Sequence, residues 1–200
     1  AEAAPDAEPR RRLRFAYLQH LGDVCRMVGE VARGAEIYVE ALPLAEALAP
    51  ARDVGALITS LAKCEQMAGR LPEALGWCAK SLALAELAGD GAGEARSLLT
   101  SCRVHFYRGS RGEAMQDAER ALAVASGLGD RNREAEAMAF LGYVGIASGP
   151  ATIAAGVAHL HQAKASYPRI GDVRGLGAMV ACEFIDPATG APDADTTKQV

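Results

Sequence analysis

Four glycines that recur at a constant interval constrain the fold of this chain more than any other feature of its sequence. Gly29, Gly69, Gly109 and Gly149 are spaced 40 residues apart, and each lies in a turn-like context, as in AGRLPEA and RGSRGEA. A constant period of this length is typical of arrays of one supersecondary unit, which stack because a single unit cannot bury its apolar face alone. The sequence therefore predicts a repeat protein.

Small residues accompany the turn glycines at fixed distances on both sides. Those that come seven residues earlier are Gly22, Ala62, Cys102 and Gly142. Those that come twelve residues later are Ala41, Ser81, Ala121 and His161, of which the histidine does not fit. Two antiparallel helices joined by a tight turn approach closely only where one of them presents little side chain. Each unit is therefore predicted to be an antiparallel helix pair.

An aspartate, in most units preceded by glycine, separates one unit from the next. These aspartates are Asp53, Asp90, Asp130 and Asp172. Glycine suits the left-handed residue after a helix end, and aspartate caps the helix that follows. The predicted repeats are residues 11–50, 51–89, 90–129 and 130–171, followed by a capping helix over 172–184. Residues 1–9 and 185–200, rich in proline and polar residues, are predicted to be a disordered segment and a flexible tail.

The composition favours an all-α protein. Half of the residues are apolar but only 5% are aromatic, because alanine and leucine, which favour helix, supply most of the apolar content. The net charge of -4 argues against a dedicated nucleic-acid binder. No apolar run approaches the roughly 20 residues of a spanning helix, and no signal-peptide pattern opens the chain. Widely spaced cysteines indicate reduced thiols and a cytoplasmic location; they are Cys25, Cys64, Cys78, Cys102 and Cys182.

The segment ALITSLAKCEQMAGRLPEALGWCAKSLALAELAGD resembles a tetratricopeptide (TPR) repeat in a longer form of about 40 residues. GRLPEALGWCAKSLALA and GSRGEAMQDAERALAVA are similar to the second helix of that family, with Ala74 and Ala114 in its alanine slot and Gly34 replacing that alanine in the first unit. The residues that stand where the family has a tyrosine are Cys25, Glu65, His105 and Gly145. The resemblance covers residues 11–183 and implies an all-α, right-handed solenoid of antiparallel helix-turn-helix repeats.

The resemblance also implies a concave groove that is lined by the first helix of each repeat and binds a protein or peptide. The predicted partner-binding residues are Gln19, Asp23, Arg26, Thr59, Lys63, Gln66, Arg96, Leu99, Arg103, Phe106, Tyr107, Glu136 and Tyr143, with Met27, Met67, Ala139 and Ile146 beside them. Basic residues outnumber acidic ones here, so the partner is expected to carry an acidic, partly apolar segment. Alternatively, Phe106 and Tyr107 fill the core between repeats.

Some TPR proteins bind the terminal carboxylate of chaperones through a lysine and asparagine clamp. Gln19 and Asp23 occupy the places of that clamp in this chain, so chaperone binding of this kind is not expected.

Patterns that would indicate chemistry are weak. GDGAG at 89–93 follows a predicted helix and no Gly-Lys-Ser/Thr occurs, which favours an inter-repeat linker over a phosphate loop. His159 and His161 lie about 200° apart on a helix, and Cys102 and His105 have no visible third ligand for a metal. The basic run RRRLR at 10–14 is typical of a solvated helix start. No cofactor, metal or catalytic residue is predicted.

Three functional hypotheses remain. The favoured one is a non-catalytic, protein-binding scaffold. The second is a ligand- or peptide-sensing domain of a larger bacterial transcriptional regulator or signalling protein, because the long Gly-Asp form resembles repeats found there and the composition is rich in alanine, glycine and arginine. The third, with the least support, is a cofactor-free catalytic site around Arg103, His105 and Tyr143.

Overall fold

A computed structural model describes residues 7–166, 170–176, 179–184 and 189 of the 200-residue chain. In this part of the chain, helices follow one another in helix-turn-helix pairs, and a two-stranded hairpin comes after them. The helices are α1 (Ala7–Met27), α2 (Val31–Leu48), α3 (Ala51–Met67), α4 (Leu71–Ala88), α5 (Gly91–Arg108), α6 (Arg111–Leu128), α7 (Arg131–Ala147) and α8 (Ile153–Ser166). The strands are β1 (Ile170–Leu176) and β2 (Met179–Phe184). The predicted helical repeats are confirmed.

The chain forms two compact units, Ala1–Val104 (unit 1) and His105–Val200 (unit 2), and the boundary falls within α5. In unit 1, α2 packs against α1 and α3, and α3 packs against α4. Its core contains large side chains such as Tyr38 and Ile58, which are fully buried. In unit 2, α7 packs against α6 and α8, and the buried residues are mostly alanines together with Val144 and Leu160.

The glycines of the turns have the backbone conformation that their spacing predicted. Their φ angles are positive in every repeat: Gly29 85°, Gly69 77°, Gly109 87° and Gly149 126°. Gly89 and Gly129 adopt the left-handed conformation directly after α4 and α6. Because a Cβ disfavours this region, glycine ends these helices at little energetic cost.

The marker aspartates do not all cap helices. The Asp130 carboxylate accepts a hydrogen bond from the backbone N–H of Arg133 and caps α7, as predicted. Asp53 instead lies in the first turn of α3, where Pro50 occupies the N-cap position. Asp172 lies within β1. The capping prediction is therefore wrong for Asp53 and Asp172.

The predicted capping helix over 172–184 is also wrong, because β1 and β2 form an antiparallel hairpin there. Val173 lies opposite Cys182, and Leu176 lies opposite Met179. Glycines in the interior of this segment disfavour helix, whereas its β-branched residues Ile170, Val173 and Val180 suit a strand.

The ends of the chain were predicted to be disordered. Helix α1 begins at Ala7, so residues 7–9 are helical and the prediction is wrong for them. Pro9 is compatible with this start because the N–H that proline lacks has no partner in a first helical turn. Residues 1–6 and, except for Thr189, the predicted tail over 185–200 lie outside the described residues.

Small residues allow close helix packing in both units. A Cβ at Gly22 would lie 2.7 Å from the Tyr38 ring, and a Cβ at Gly142 would lie 2.5 Å from Leu160. Ala62 and Cys102, which occupy the same repeat position, are completely buried. This arrangement confirms the role predicted for the small residues that precede the turn glycines.

The fourth repeat follows the same packing rule with a shift of two residues. Residues 148–152 form a five-residue turn before α8, whereas residues 68–70 form a three-residue turn before α4. His161, the misfit of the sequence pattern, is exposed, and Ala163 is completely buried. The longer turn moves each packing position two residues along the chain.

Candidate functional site

The candidate site is the exposed side of the first helices, and each unit carries its own part of it. Most of the predicted binding residues are exposed or half-buried there. In unit 1 these are Gln19, Asp23, Arg26, Lys63, Gln66, Arg96 and Arg103. In unit 2 they are Phe106, Tyr107, Glu136 and Tyr143.

Thr59 and Leu99 were predicted to contact a partner, and this prediction is wrong. Their exposed fractions are 2% and 3%, so neither is available at the surface. The hydroxyl of Thr59 donates to the Gly55 carbonyl at 2.9 Å and lies 2.8 Å from the Ser81 Oγ. Thr59 in α3 and Leu99 in α5 lie on the buried side of their helices. On a helical wheel this side is next to the exposed side that was predicted to bind the partner.

Three buried hydroxyls form a chain through unit 1 that the sequence did not reveal. The Oγ of Ser81 in α4 lies 2.8 Å from both the Thr59 Oγ1 in α3 and the Ser97 Oγ in α5. Each hydroxyl also lies 2.9 Å from the carbonyl oxygen of Gly55 or Gly93, so its single proton is donated either to that carbonyl or to a neighbouring hydroxyl. Every hydroxyl therefore has a partner, as buried polar groups require. This chain links helices and is closed to any ligand.

Large apolar side chains are exposed at the same repeat position near the end of successive first helices. Met27 is 70% exposed and Met67 53% exposed in unit 1, and Tyr107 is 55% exposed in unit 2. The Tyr107 ring packs edge-on against Phe106, with centroids 5.8 Å apart. Since more than half of Tyr107 is exposed, it does not serve as a core residue, although Phe106 is half-buried.

A polar network holds Asp23 and Arg26, two of the predicted binding residues of α1. The Tyr38 hydroxyl donates a hydrogen bond of 2.6 Å to the Asp23 carboxylate, and an Arg26 guanidinium nitrogen lies 3.9 Å from the same oxygen. Burial, together with this hydrogen bond, raises the pKa of Tyr38 well above its usual value. Tyr38 therefore remains a neutral donor that fixes Asp23 at the edge of the exposed side.

The positions where TPR proteins have a tyrosine carry short polar or small residues here. The Glu65 carboxylate pairs with Arg70 of the following turn, and the Cys25 Sγ lies 4.0 Å from Glu30 Oε2. A Cβ at Gly145 would lie 3.2 Å from the Gly156 Cα. Links to the turn and close backbone contact thus replace aromatic packing within the helix pairs.

His105 stands at the same position and faces α6. Its Nε2 lies 3.8 Å from an Asp117 carboxylate oxygen, and both side chains are half-buried. Cys102 is completely buried and Tyr143 packs against the cluster of Leu160 and Ala163. In the part of the chain that the structure describes, no three His, Cys, Asp or Glu side chains come together as metal ligands would.

Comparison with solved structures identifies the fold. The chain is similar to a single-substitution variant of nearly identical TPR-like repeats from Podosopora anserina, assigned to a kinesin light chain, with 17% identity, a TM-score of 0.63, and coverage of 78% of this chain and 74% of that one. It is also similar to BtubC (BKLC) from P. vanneervenii, with 13% identity, a TM-score of 0.59, and coverage of 83% and 85%.

These similarities show that the chain has the TPR-like helical-repeat fold that its sequence predicted. No family model matches the sequence. Among the described helices, none has the length and apolar character needed to cross a bilayer.

Proposed function

We propose that this protein is a non-catalytic scaffold that binds a protein or peptide through the exposed side of its first helices. The observation that carries the proposal is the recurrence of exposed Met27, Met67 and Tyr107 at one repeat position. Exposed apolar surface rimmed by polar residues is typical of interaction sites. Methionine also adapts its shape to different partners.

Within unit 1, charges on the same side suggest the chemistry of the partner. Arg26 lies beside Met27, and Lys63 lies one helical turn before Met67. Arg96 and Arg103 add basic charge on α5, and the Asp23 carboxylate accepts a hydrogen bond from the Tyr38 hydroxyl. A segment that alternates acidic and apolar residues would match both the charges and the methionines. In unit 2, Tyr107, Phe106, Glu136 and Tyr143 form a second proposed contact region.

Selection from a random peptide library on the immobilised chain tests the proposal. We expect the enriched peptides to be acidic and apolar, with micromolar affinity by isothermal titration calorimetry. Lys63→Glu combined with Met67→Glu should weaken their binding at least about tenfold, because the pair removes one apolar contact and reverses one charge. Arg103→Glu combined with Phe106→Ala should have a comparable effect on peptides that use the α5 residues.

A matched control is available on the second helices. Leu87 in α4 and Leu128 in α6 are 87% and 53% exposed and lie outside the proposed surface. Leu87→Glu and Leu128→Glu should leave peptide affinity unchanged, and circular dichroism should show equal helicity in all variants. Equal binding by the Lys63 and Met67 variant would contradict the proposed surface.

A further inference from the structure

Two methionines of the proposed binding surface are more exposed than the other methionines whose side chains the structure describes. Met27 is 70% exposed at the end of α1, and Met67 is 53% exposed at the end of α3. Met115 in α6 and Met138 in α7 are half-buried, and Met138 packs against the buried Leu160. A dissolved oxidant therefore reaches the sulfur atoms of Met27 and Met67 more easily than those of the other two.

The thiols that would compete for an oxidant are shielded in the described part of the chain. Cys25, Cys64, Cys78 and Cys102 are all buried. Burial also raises the pKa of Cys64 to about 11, so this side chain remains a thiol at neutral pH. Because oxidation of cysteine needs a thiolate that the reagent can reach, these four side chains are poor competitors. The accessible sulfur belongs to the two exposed thioethers.

Both exposed methionines lie beside a basic side chain of the same surface. Arg26 precedes Met27, and Lys63 lies one helical turn before Met67. The proposed acidic and apolar partner would bury each thioether against its apolar side chains while its carboxylates meet these cations. A sulfoxide in the same place carries a strongly polar S–O group. Burial of that group against an apolar side chain, without a hydrogen-bond donor, would weaken binding.

We propose that Met27 and Met67 form a redox-sensitive modification site whose oxidation to sulfoxide releases the bound segment, an inference that rests on the proposed function. A hydroperoxide transfers one oxygen atom to each thioether sulfur, so an S–O bond forms and the O–O bond breaks. Each sulfur loses two electrons, and the remaining oxygen of hydrogen peroxide leaves as water. Methionine sulfoxide reductases return the two electrons from thiols, which makes the site reversible.

The repeat itself supplies a comparison, because the third residue at this position has no thioether. Tyr107 in unit 2 is 55% exposed, as large and accessible a contact as the two methionines of unit 1. Oxidation should therefore weaken the binding of peptides that depend on Met67 and leave the binding of peptides that depend on Tyr107 unchanged. The redox response is confined to unit 1.

Treatment of the full chain with hydrogen peroxide tests the modification site. Peptide mapping by mass spectrometry should show one added oxygen on Met27 and on Met67 before any oxygen on Met115 or Met138. The affinity of the selected peptides that depend on Met67, measured by isothermal titration calorimetry, should fall at least about fivefold. Methionine sulfoxide reductases should restore this affinity. Dithiothreitol, which reduces oxidised cysteines, should not restore it.

Matched variants separate methionine oxidation from other effects of peroxide. Met27→Leu combined with Met67→Leu keeps apolar side chains of similar volume, and its affinity before treatment should persist after treatment. Met115→Leu combined with Met138→Leu, outside the proposed surface, should retain the full response to peroxide. Met27→Gln combined with Met67→Gln places polar groups of similar length there and should weaken binding at least about threefold without any oxidant. Circular dichroism should show equal helicity for all variants.

The outcomes decide the proposal. Complete oxidation of Met27 and Met67 with unchanged affinity would overturn it, as would earlier oxidation of Met115 or Met138. An equal loss of affinity in the leucine variant of Met27 and Met67 would show that another group responds to peroxide, and would overturn it too. A chain that binds peptide but does not respond to peroxide contradicts only the redox site. A chain that selects no peptide contradicts the proposed function itself.

Discussion

The second repeat in unit 1 and the fourth repeat in unit 2 solve the same packing problem in different ways. Between α3 and α4 a three-residue turn brings Ala62 into one buried cluster with Ala74 and Cys78. Between α7 and α8 a five-residue turn brings Gly142 and Gly145 against Gly156, where even a Cβ would be too close to the backbone.

The difference teaches that a tight helix pair needs a small residue at a fixed place in space, not at a fixed place in the sequence. Two additional turn residues move the packing positions of α8 to Gly156, Leu160 and Ala163. The fourth repeat then depends on glycine where the second uses alanine. Three predictions test this contrast and the details that accompany it.

The largest effect is expected from Gly156→Ala. A Cβ there would lie 2.7 Å from the Gly142 carbonyl oxygen and 2.9 Å from the Ile146 backbone nitrogen, so the two helices would have to separate. We expect a loss of about 1–3 kcal/mol in the free energy of unfolding, measured by urea denaturation.

Gly76→Ala in α4 is the matched control, because a Cβ at Gly76 would meet nothing within 4 Å. This substitution should stabilise the protein by about 0.5–1 kcal/mol through helix propensity. If both substitutions stabilised the protein, the close approach of α7 and α8 would be disproved.

A smaller loss in the free energy of unfolding is expected when a hydroxyl is removed from the buried hydroxyl chain of unit 1. Ser81→Ala removes one partner from Thr59 and one from Ser97, and should cost about 1 kcal/mol. In the third repeat this position holds Ala121, which is completely buried and has no hydroxyl. The triple variant, which adds Thr59→Val and Ser97→Ala, should lose less free energy of unfolding than the three single variants together. In the triple variant no hydroxyl is left without its neighbouring hydroxyl. Strict additivity in denaturation experiments would show that the three hydroxyls are not coupled.

The smallest effect concerns the Asp130 cap. The backbone N–H of Arg133, followed by its guanidinium, stabilises the carboxylate and lowers the pKa of Asp130. The stabilisation is therefore fully present above the unfolded pKa of about 4 and is lost as the pH falls through the lower folded pKa. Asp130→Ala should cost about 0.5–1 kcal/mol at pH 7 and progressively less below pH 4. Asp53→Ala, at an aspartate that does not cap a helix, is the control and should cost less than Asp130→Ala at pH 7.

Much of the fold could be predicted because each repeat needs particular residue types at its turns and at its closest helix contacts. Positive φ at Gly29, Gly69 and Gly109 requires glycine, and close helix packing requires small residues, so both leave a regular trace in the sequence. The hairpin at β1 and β2 could not be predicted from the repeat, because an aspartate after a glycine indicates a helix start in the other units. The glycines and β-branched residues that follow it are the local signal for a strand.

The candidate site was less predictable because helical phase alone does not show how far neighbouring helices reach. Thr59 and Leu99 lie close to exposed neighbours on a helical wheel, yet they are buried within the array. Alignment of the repeats would have helped, because residues at one repeat position, such as Tyr17 and Leu57 or Val24 and Val104, can be compared directly. That comparison separates interface positions from groove positions.

The glycine joints between repeats, Gly89 after α4 and Gly129 after α6, have a practical consequence for protein engineering. Gly89 and Gly129 have nearly identical backbone angles, with φ and ψ of 62° and 24° at one joint and 66° and 22° at the other. Each is followed by an aspartate that begins the next repeat. A block cut from Asp90 to Gly129 therefore carries matching ends, and duplicating it would lengthen the protein by one complete module. These joints are the natural splice points for engineering longer or shorter versions of this chain.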